Sequence, residues 1–243
     1  FCLMWTNENW TRTWDGSEQE VILSQNYSDE KYVLLVDDLA RHMADNRYIR
    51  ISDRPLFFVY RPGLIPNCKE SIARLRELFS ERYGLEPLIM MAQGFGDTDP
   101  RLHGLDGAIE FPPHKVAEGL PPINNHLDIL DPNYSGHSFS YDEMVQNSCG
   151  EESADFPLIR TVVPSWDNEA RRPGRGMTFH GSTPAKFGAW TDRMIEFAHA
   201  NPVYGEELIC VNAWNEWAEG AILEPDVHYG AAYLNALSRS IYN

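Results

Sequence analysis

The stretch ELICVNAWNEWAEGAILEPD, residues 207–226, sets a β-prone apolar run (207–214) directly against a polar cluster. That cluster holds two carboxylates, Glu216 and Glu219, together with Trp214, Asn215 and Trp217. A strand that stops in a burst of charged, amide and aromatic residues is what the mouth of a β/α barrel requires, because the loops leaving the strand ends build its active site. Five further runs are apolar and β-prone: 1–5, 56–60, 88–93, 107–111 and 160–166. Their hydrophobicity is near-continuous rather than alternating, the mark of strands buried on both faces of a parallel sheet.

Helical spacing fills several of the intervals. Tyr32, Leu35, Val36, Leu39 and Met43 share one face over 29–45, and Ile72, Leu75, Leu78 and Phe79 share one over 67–83, with Gly84 as C-cap. Thr183 and Pro184 supply an N-cap and a first helical position ahead of Phe187, Trp190, Met194 and Phe197. Residues 230–241 read as a closing helix. Strand and helix alternate, so the fold class is α/β with a parallel sheet. An open doubly wound sheet is one solution. Polar residues gathered after the strands favour the other, a (β/α)8 TIM-type barrel. Six strands are about six of eight βα units, and FCLMW at the start reads as mid-strand. The expectation is a single barrel domain over 1–243, N-terminally truncated, with these six as the third to eighth strands. Residues 112–157 form an unusually long βα loop or insert in which only 141–146 looks briefly helical.

Composition narrows the partners. With a formal net charge of −16 the chain lacks the basic footprint of a nucleic-acid binder, and a neutral or cationic ligand suits it better. No run reaches the ~18 apolar residues that span a bilayer. Cys2, Cys68, Cys149 and Cys210 are widely spaced, without CxxC or a metal-ligand rhythm, and Cys2 and Cys210 sit in apolar runs as small core hydrophobes. The eight histidines show no HExxH, so no metal site is expected.

Glu216 and Glu219 are the leading catalytic candidates. Were the chain to turn helically after Asn215, their Cβ atoms would lie ~5–6 Å apart on one side. Glycoside cleavage uses such a pair, one carboxyl protonating the departing oxygen and the other acting as base or nucleophile. Trp214 and Trp217 would offer flat faces to sugar rings and raise one carboxyl's pKa by lowering the local dielectric. The competing account has Asn215 capping a helix whose first turn the glutamates merely decorate. At the first strand's end stand Trp5, Asn7, Glu8 and Trp10, which makes Glu8 with Glu216 a rival pair across the mouth. The other strand ends contribute Tyr60 and Arg61, Gln93, Glu110 and Trp166 with Asp167. Asp97-Thr98-Asp99 matches the DxD pattern of metal-dependent sugar-nucleotide transferases, but Gly96 and Pro100 make it an ordinary turn. Arg171, Arg172 and Arg175 form a small basic loop, read as solvated rather than phosphate-binding.

Three motifs in order, WTNENWTRTWDG (5–16), RYIRISDRPLFFVYRP (47–62) and NAWNEWAEGAILEPD (212–226), resemble the glycoside hydrolase family 99-like, or WbsX-like, domain. These domains occur in bacterial O-antigen and polysaccharide biosynthesis proteins, often described as glycosyltransferases. They are related to the endo-α-1,2-mannosidases, which are (β/α)8 barrels. The resemblance implies a carbohydrate-active enzyme in which Glu216 deprotonates a sugar 2-hydroxyl that attacks its own anomeric carbon, while Glu219 protonates the leaving oxygen. Configuration would be retained, with no metal and no organic cofactor. Ala218 stands where the mannosidase motif carries histidine, so linkage specificity does not carry over. The expectation is a retaining glycoside hydrolase acting on bacterial surface polysaccharide. The alternatives are a glycosyltransferase of O-antigen or lipopolysaccharide biosynthesis and a non-catalytic glycan-binding barrel. The partner is an oligo- or polysaccharide, with room for fusion to further domains, and a cytoplasmic place is favoured for a biosynthetic protein.

Overall fold

The computed structural model describes residues 1–12, 17–115, 117–150 and 153–242. The last four residues of the first motif, 13–16, lie outside them. Each of the six apolar runs supplies a strand of one parallel sheet: β1 Leu3–Trp5, β2 Arg54–Val59, β3 Leu88–Gln93, β4 Gly107–Glu110, β5 Leu158–Val162 and β6 Ile209–Val211. They pair in chain order, β1 to β6, every neighbour parallel. A doubly wound sheet reverses its strand order at a switch point. None occurs here, and the steady progression curls the sheet into an arc of the barrel type.

The alternation within β2 shows why both faces are apolar. Phe57 and Val59 point outward into a core shared with Val36, Leu39 and Met43 of α1 (Asp29–Met43) and Ile72, Leu75 and Phe79 of α2 (Cys68–Tyr83). Leu56 and Phe58 point inward to meet Leu88, Met90 and Ile159, with Cys2 and Cys210 packed at the margin. Gly84 closes α2 in the left-handed region at φ 61°, as its position after the helical stripe implies. Thr183 caps α4 (Pro184–Ala200), whose Phe187, Trp190 and Met194 join a third core with α5 (Ala232–Tyr242).

Residues 112–157 are more ordered than their composition suggests. They contain a strand, His137–Ser140, and a full helix, α3 (Tyr141–Gly150), which is the crossover between β4 and β5. The strand pairs in parallel with Met177–His180 from the next βα loop, so the two loops brace one another. Neither four-residue strand is long enough to announce itself by period. Among the described residues no helix is long and apolar enough to cross a membrane.

Candidate active site at the strand ends

The loops after all six strands converge. After β6 the chain makes a single 3-10 turn rather than an α-helix. Asn215–Glu216 instead pairs antiparallel with Ala221–Ile222, and the 3-10 turn Trp217–Glu219 joins them. The residue at the N-cap of that turn is Glu216, so Asn215 caps no helix. Spacing i to i+3 across a 3-10 turn still brings side chains to one side. Glu219 feels the Glu216 charge directly: burial raises its carboxyl pKa, the Arg171 guanidinium opposes the rise, and Glu216 adds to it.

Gly220 makes this turn possible. It sits at φ 60°, and a Cβ there would lie 3.1 Å from the backbone nitrogen of Asp167. That nitrogen donates to the Glu219 carbonyl at 2.8 Å, so the loop after β5 clamps the carboxylate-bearing turn. The same loop delivers Arg171, whose Nη1 donates to Glu219 Oε1 at 2.7 Å. The expectation of a solvated basic loop is corrected here. Arg171 lies 48 residues from Glu219 in sequence, and no local pattern signals the pairing.

On the opposite wall, Tyr60 follows β2. Burial pushes its phenol up to about 12, and the charges of Glu8 and Glu219 add to the rise. One residue thus lies within electrostatic reach of loops from the first and the last strand. Tyr60 meets the rings of Phe95 and Phe111 edge-on, at centroid distances of 6.0 and 5.5 Å. The Arg61 guanidinium lies 3.8 Å over Phe95 and also pairs with Glu8. Phe95 holds φ 56°, a left-handed backbone that costs a bulky residue energy and that clusters at functional sites. His114 stacks on both phenylalanines, and burial together with Arg172 and Arg61 lowers its pKa to about 4, leaving a neutral imidazole at pH 7. Phe95 was missed as a candidate, Phe111 lay within the strand-end span 110–114 without being singled out, and Arg171 was read only as part of a solvated loop. The position of the two phenylalanines just after β3 and β4 was the available signal.

Several candidates sit beneath the mouth rather than in it. Asn7 is fully buried and exchanges two hydrogen bonds with the Arg61 backbone, at 2.7 and 2.8 Å, tying β1 to β2. Glu110 is buried too, accepting from Lys115 Nζ at 2.7 Å and the Thr161 amide at 3.1 Å and pairing with Arg160 at 3.2 Å. Gln93 donates to the Thr98 carbonyl at 2.8 Å. These three position their neighbours. Trp5 is half-buried against Tyr27, and Trp166 is buried. Trp10, Trp214 and Trp217 stand exposed, with Asn215 beside them and the Trp217 indole held by Glu224 at 2.7 Å.

Asp97 and Asp99 do not present a joint site. Asp97 accepts from the Gly63 amide at 3.0 Å and pairs with His103 at 3.2 Å, whereas Asp99 binds Arg101. No group of three or more His, Cys, Asp or Glu suited to a metal ion occurs among the described residues.

An arc of parallel β/α units with an acidic and aromatic mouth defines a protein of the barrel type. The chain belongs to the family described as Glycosyltransferase WbsX, whose pattern matches residues 1–237. It is 36% identical over 241 residues to the uncharacterized protein WxcX of Xanthomonas campestris pv. campestris strain B100, and equally to that of strain ATCC 33913. In both, 99% of this chain is covered, and the chain spans 34% of the relative's length. Among solved structures, a glycoside hydrolase-like protein matches with TM-score 0.56 at 17% identity, over 87% of this chain and 60% of its own. The GH99 endo-alpha-mannosidase from Bacteroides thetaiotaomicron matches with TM-score 0.54 at 16% identity, over 90% and 62%. Likeness at this identity establishes the barrel-type fold.

Proposed function

We propose that this chain carries the catalytic centre of a retaining glycoside hydrolase of the endo-α-mannosidase type, acting on bacterial surface polysaccharide. The observation that carries the reading is the Glu216–Glu219 pair. Two carboxylates share one tight turn, and one of them is held protonated to higher pH by burial and by its neighbour's charge. Groups whose environments drive their protonation apart divide into acid and base. Glu219 is the acid that protonates the leaving oxygen. Glu216 is the base that removes the 2-hydroxyl proton, so that the sugar oxygen closes on its own anomeric carbon. Arg171 fixes the Glu219 carboxyl in place, and Trp10, Trp214 and Trp217 supply stacking faces along a chain of sugars.

The family's description favours a second reading, glycosyl transfer. In that reading the sugar comes from a donor molecule, and Asp97 and Asp99 would hold a divalent ion. The commitment of Asp97 and Asp99 to Gly63, His103 and Arg101 counts against a metal-nucleotide route through them. The test uses the full-length protein on a panel of bacterial polysaccharides, following both reducing-end release and chain transfer. Glu216→Gln and Glu219→Gln should each lower turnover by at least ~10²-fold, the usual loss when an acid or base is removed. Wild-type turnover in both variants rejects the assignment. Binding without turnover in the wild type points to a glycan-binding barrel.

A further inference from the structure

The loop that follows β5 grips Glu219 at two points, through the Asp167 amide on its carbonyl and through Arg171 on its carboxyl. The first contact is made by backbone at the foot of the loop. There the Asn168 amide donates to the Met177 carbonyl at 3.2 Å, and the Met177 amide donates to Asn168 Oδ1 at 2.7 Å. The second contact lies at the tip of a long side chain with many rotamers, so it is only as well placed as the backbone beneath it.

That backbone is tied by a carboxylate. Glu169 accepts the Gly174 amide on Oε1 and the Gly176 amide on Oε2, the latter at 2.9 Å. Hydrogen bonds to an ionised acceptor are roughly twice as strong as neutral ones. Between the two ends, the Arg171 and Arg172 amides both donate to the Asn168 carbonyl, at 3.0 and 3.1 Å. Gly176 approaches so closely that a Cβ there would lie 2.9 Å from the Glu169 backbone nitrogen. The same two glycines face the loop after β4 through their carbonyls. Gly174 accepts the Ser135 amide at 2.8 Å, and Gly176 accepts the His137 amide and the Tyr134 hydroxyl, both at 2.9 Å. Glu169 is thus the link through which residues 134–137 support the backbone under Arg171.

We propose that Glu169 is a positioning residue: it holds the loop 168–176 closed, so that Arg171 meets the Glu219 carboxyl in one geometry. Its value to turnover rests on the reading of Glu219 as the acid, whereas its hold on Arg171 does not. Charge gives the two routes of action opposite signs. Arg171 and Arg172 of this loop oppose the burial that raises the Glu219 carboxyl, Glu216 adds to the rise, and Tyr60 faces the same carboxyl from the loop after β2. Glu169→Gln keeps the size of the side chain, removes a negative charge and sets an NH2 group against one of the two amides. Acting directly, loss of a negative charge lowers the pKa of Glu219. Acting through Arg171, a loosened loop weakens the guanidinium contact and raises it.

The experiment is the carbon-13 carboxyl titration of Glu219 in the full-length protein, for wild type, Glu169→Gln, Arg171→Met and the double variant. Glu169→Gln should raise the Glu219 pKa, as Arg171→Met does, and should add nothing once Arg171 is gone, as expected of two residues acting in series. Turnover should fall about 10–100-fold through kcat, with KM within about 2-fold, because binding groups are untouched and only the acid is misplaced. The alkaline limb of the kcat profile should move to higher pH with the acid. Amide hydrogen exchange of the wild type supplies a test that needs no variant to fold: Gly174 and Gly176 should exchange at least ~100-fold more slowly than an open peptide. A lowered or unchanged Glu219 pKa in Glu169→Gln, effects of the two substitutions that simply add, or unprotected glycine amides would each overturn the proposal. Wild-type turnover in Glu219→Gln alongside the expected titrations refutes the catalytic reading and leaves the hold on Arg171 standing.

Discussion

Replacing Arg171 by methionine keeps the length of the side chain and removes the charge that faces Glu219. The guanidinium donates to Glu219 Oε1 at 2.7 Å, with side-chain exposures of 37% for the arginine and 20% for the glutamate. Bare Coulomb attraction at that distance is about 6 kcal/mol at an effective dielectric of 20 and about 1.5 kcal/mol in water. Partial exposure places the pair toward the lower figure, and hydrogen bonds to charged groups contribute about 1.5–3 kcal/mol. A loss of ~1.4 kcal/mol of carboxylate stabilisation equals about one pH unit. Arg171→Met should therefore raise the Glu219 pKa further, with Arg172 limiting the rise. Glu216→Gln should lower it, because a like charge is gone. The assay is a carbon-13 carboxyl NMR titration of glutamate-labelled protein, with Glu219 assigned through Glu219→Gln. Stability follows the same sign. A carboxyl whose folded pKa is raised favours the folded state fully only below its unfolded pKa, and that contribution is lost as pH rises through the folded value. The arginine variant should accordingly be less stable than wild type at pH 7 and equal to it in acid. Shifts of the same direction in both variants, or no shift in either, would refute the arrangement of charges.

Three other outcomes follow from the same geometry. Glu110→Ala removes the carboxylate that faces the fully buried Arg160 guanidinium and should cost about 3–5 kcal/mol in urea unfolding, whereas a loss under ~1 kcal/mol would show that the network can reorganise. Gly220→Ala forces a Cβ to 3.1 Å from the Asp167 nitrogen in a left-handed backbone, and calorimetry should show about 1–2 kcal/mol of destabilisation together with reduced turnover. His114, with its pKa lowered from 6.5 to about 4, contributes stability that is present above pH 6.5 and lost as pH falls toward 4. His114→Phe should flatten that part of the stability profile, by at most about 3 kcal/mol, and an unchanged slope would refute the burial argument.

The six strands and four longest helices were legible because each leaves a local signature. A strand buried on both faces must be apolar along nearly all its length, as 88–92 is in β3, and a helix on the sheet must repeat its apolar face every three to four residues, as α2 does. The position of Glu216 and Glu219 after the last strand was legible for a similar reason, since the apolar run ends just before them. The turn carrying them was misjudged because NEWAEG is compatible with a helix start, and only pairing with Ala221–Ile222 selects the hairpin.

What sequence determined by itself was the α/β alternation and the strand ends at which chemistry gathers, because both depend on neighbours a few residues away. Tertiary structure alone decided that Arg171 faces Glu219, that Asn7 and Glu110 lie beneath the mouth, and that His137–Ser140 pairs with Met177–His180. Those contacts join segments 40 or more residues apart. Which distant loops meet is set by the curl of the sheet and the closure of the loops above it, and no local spacing encodes either.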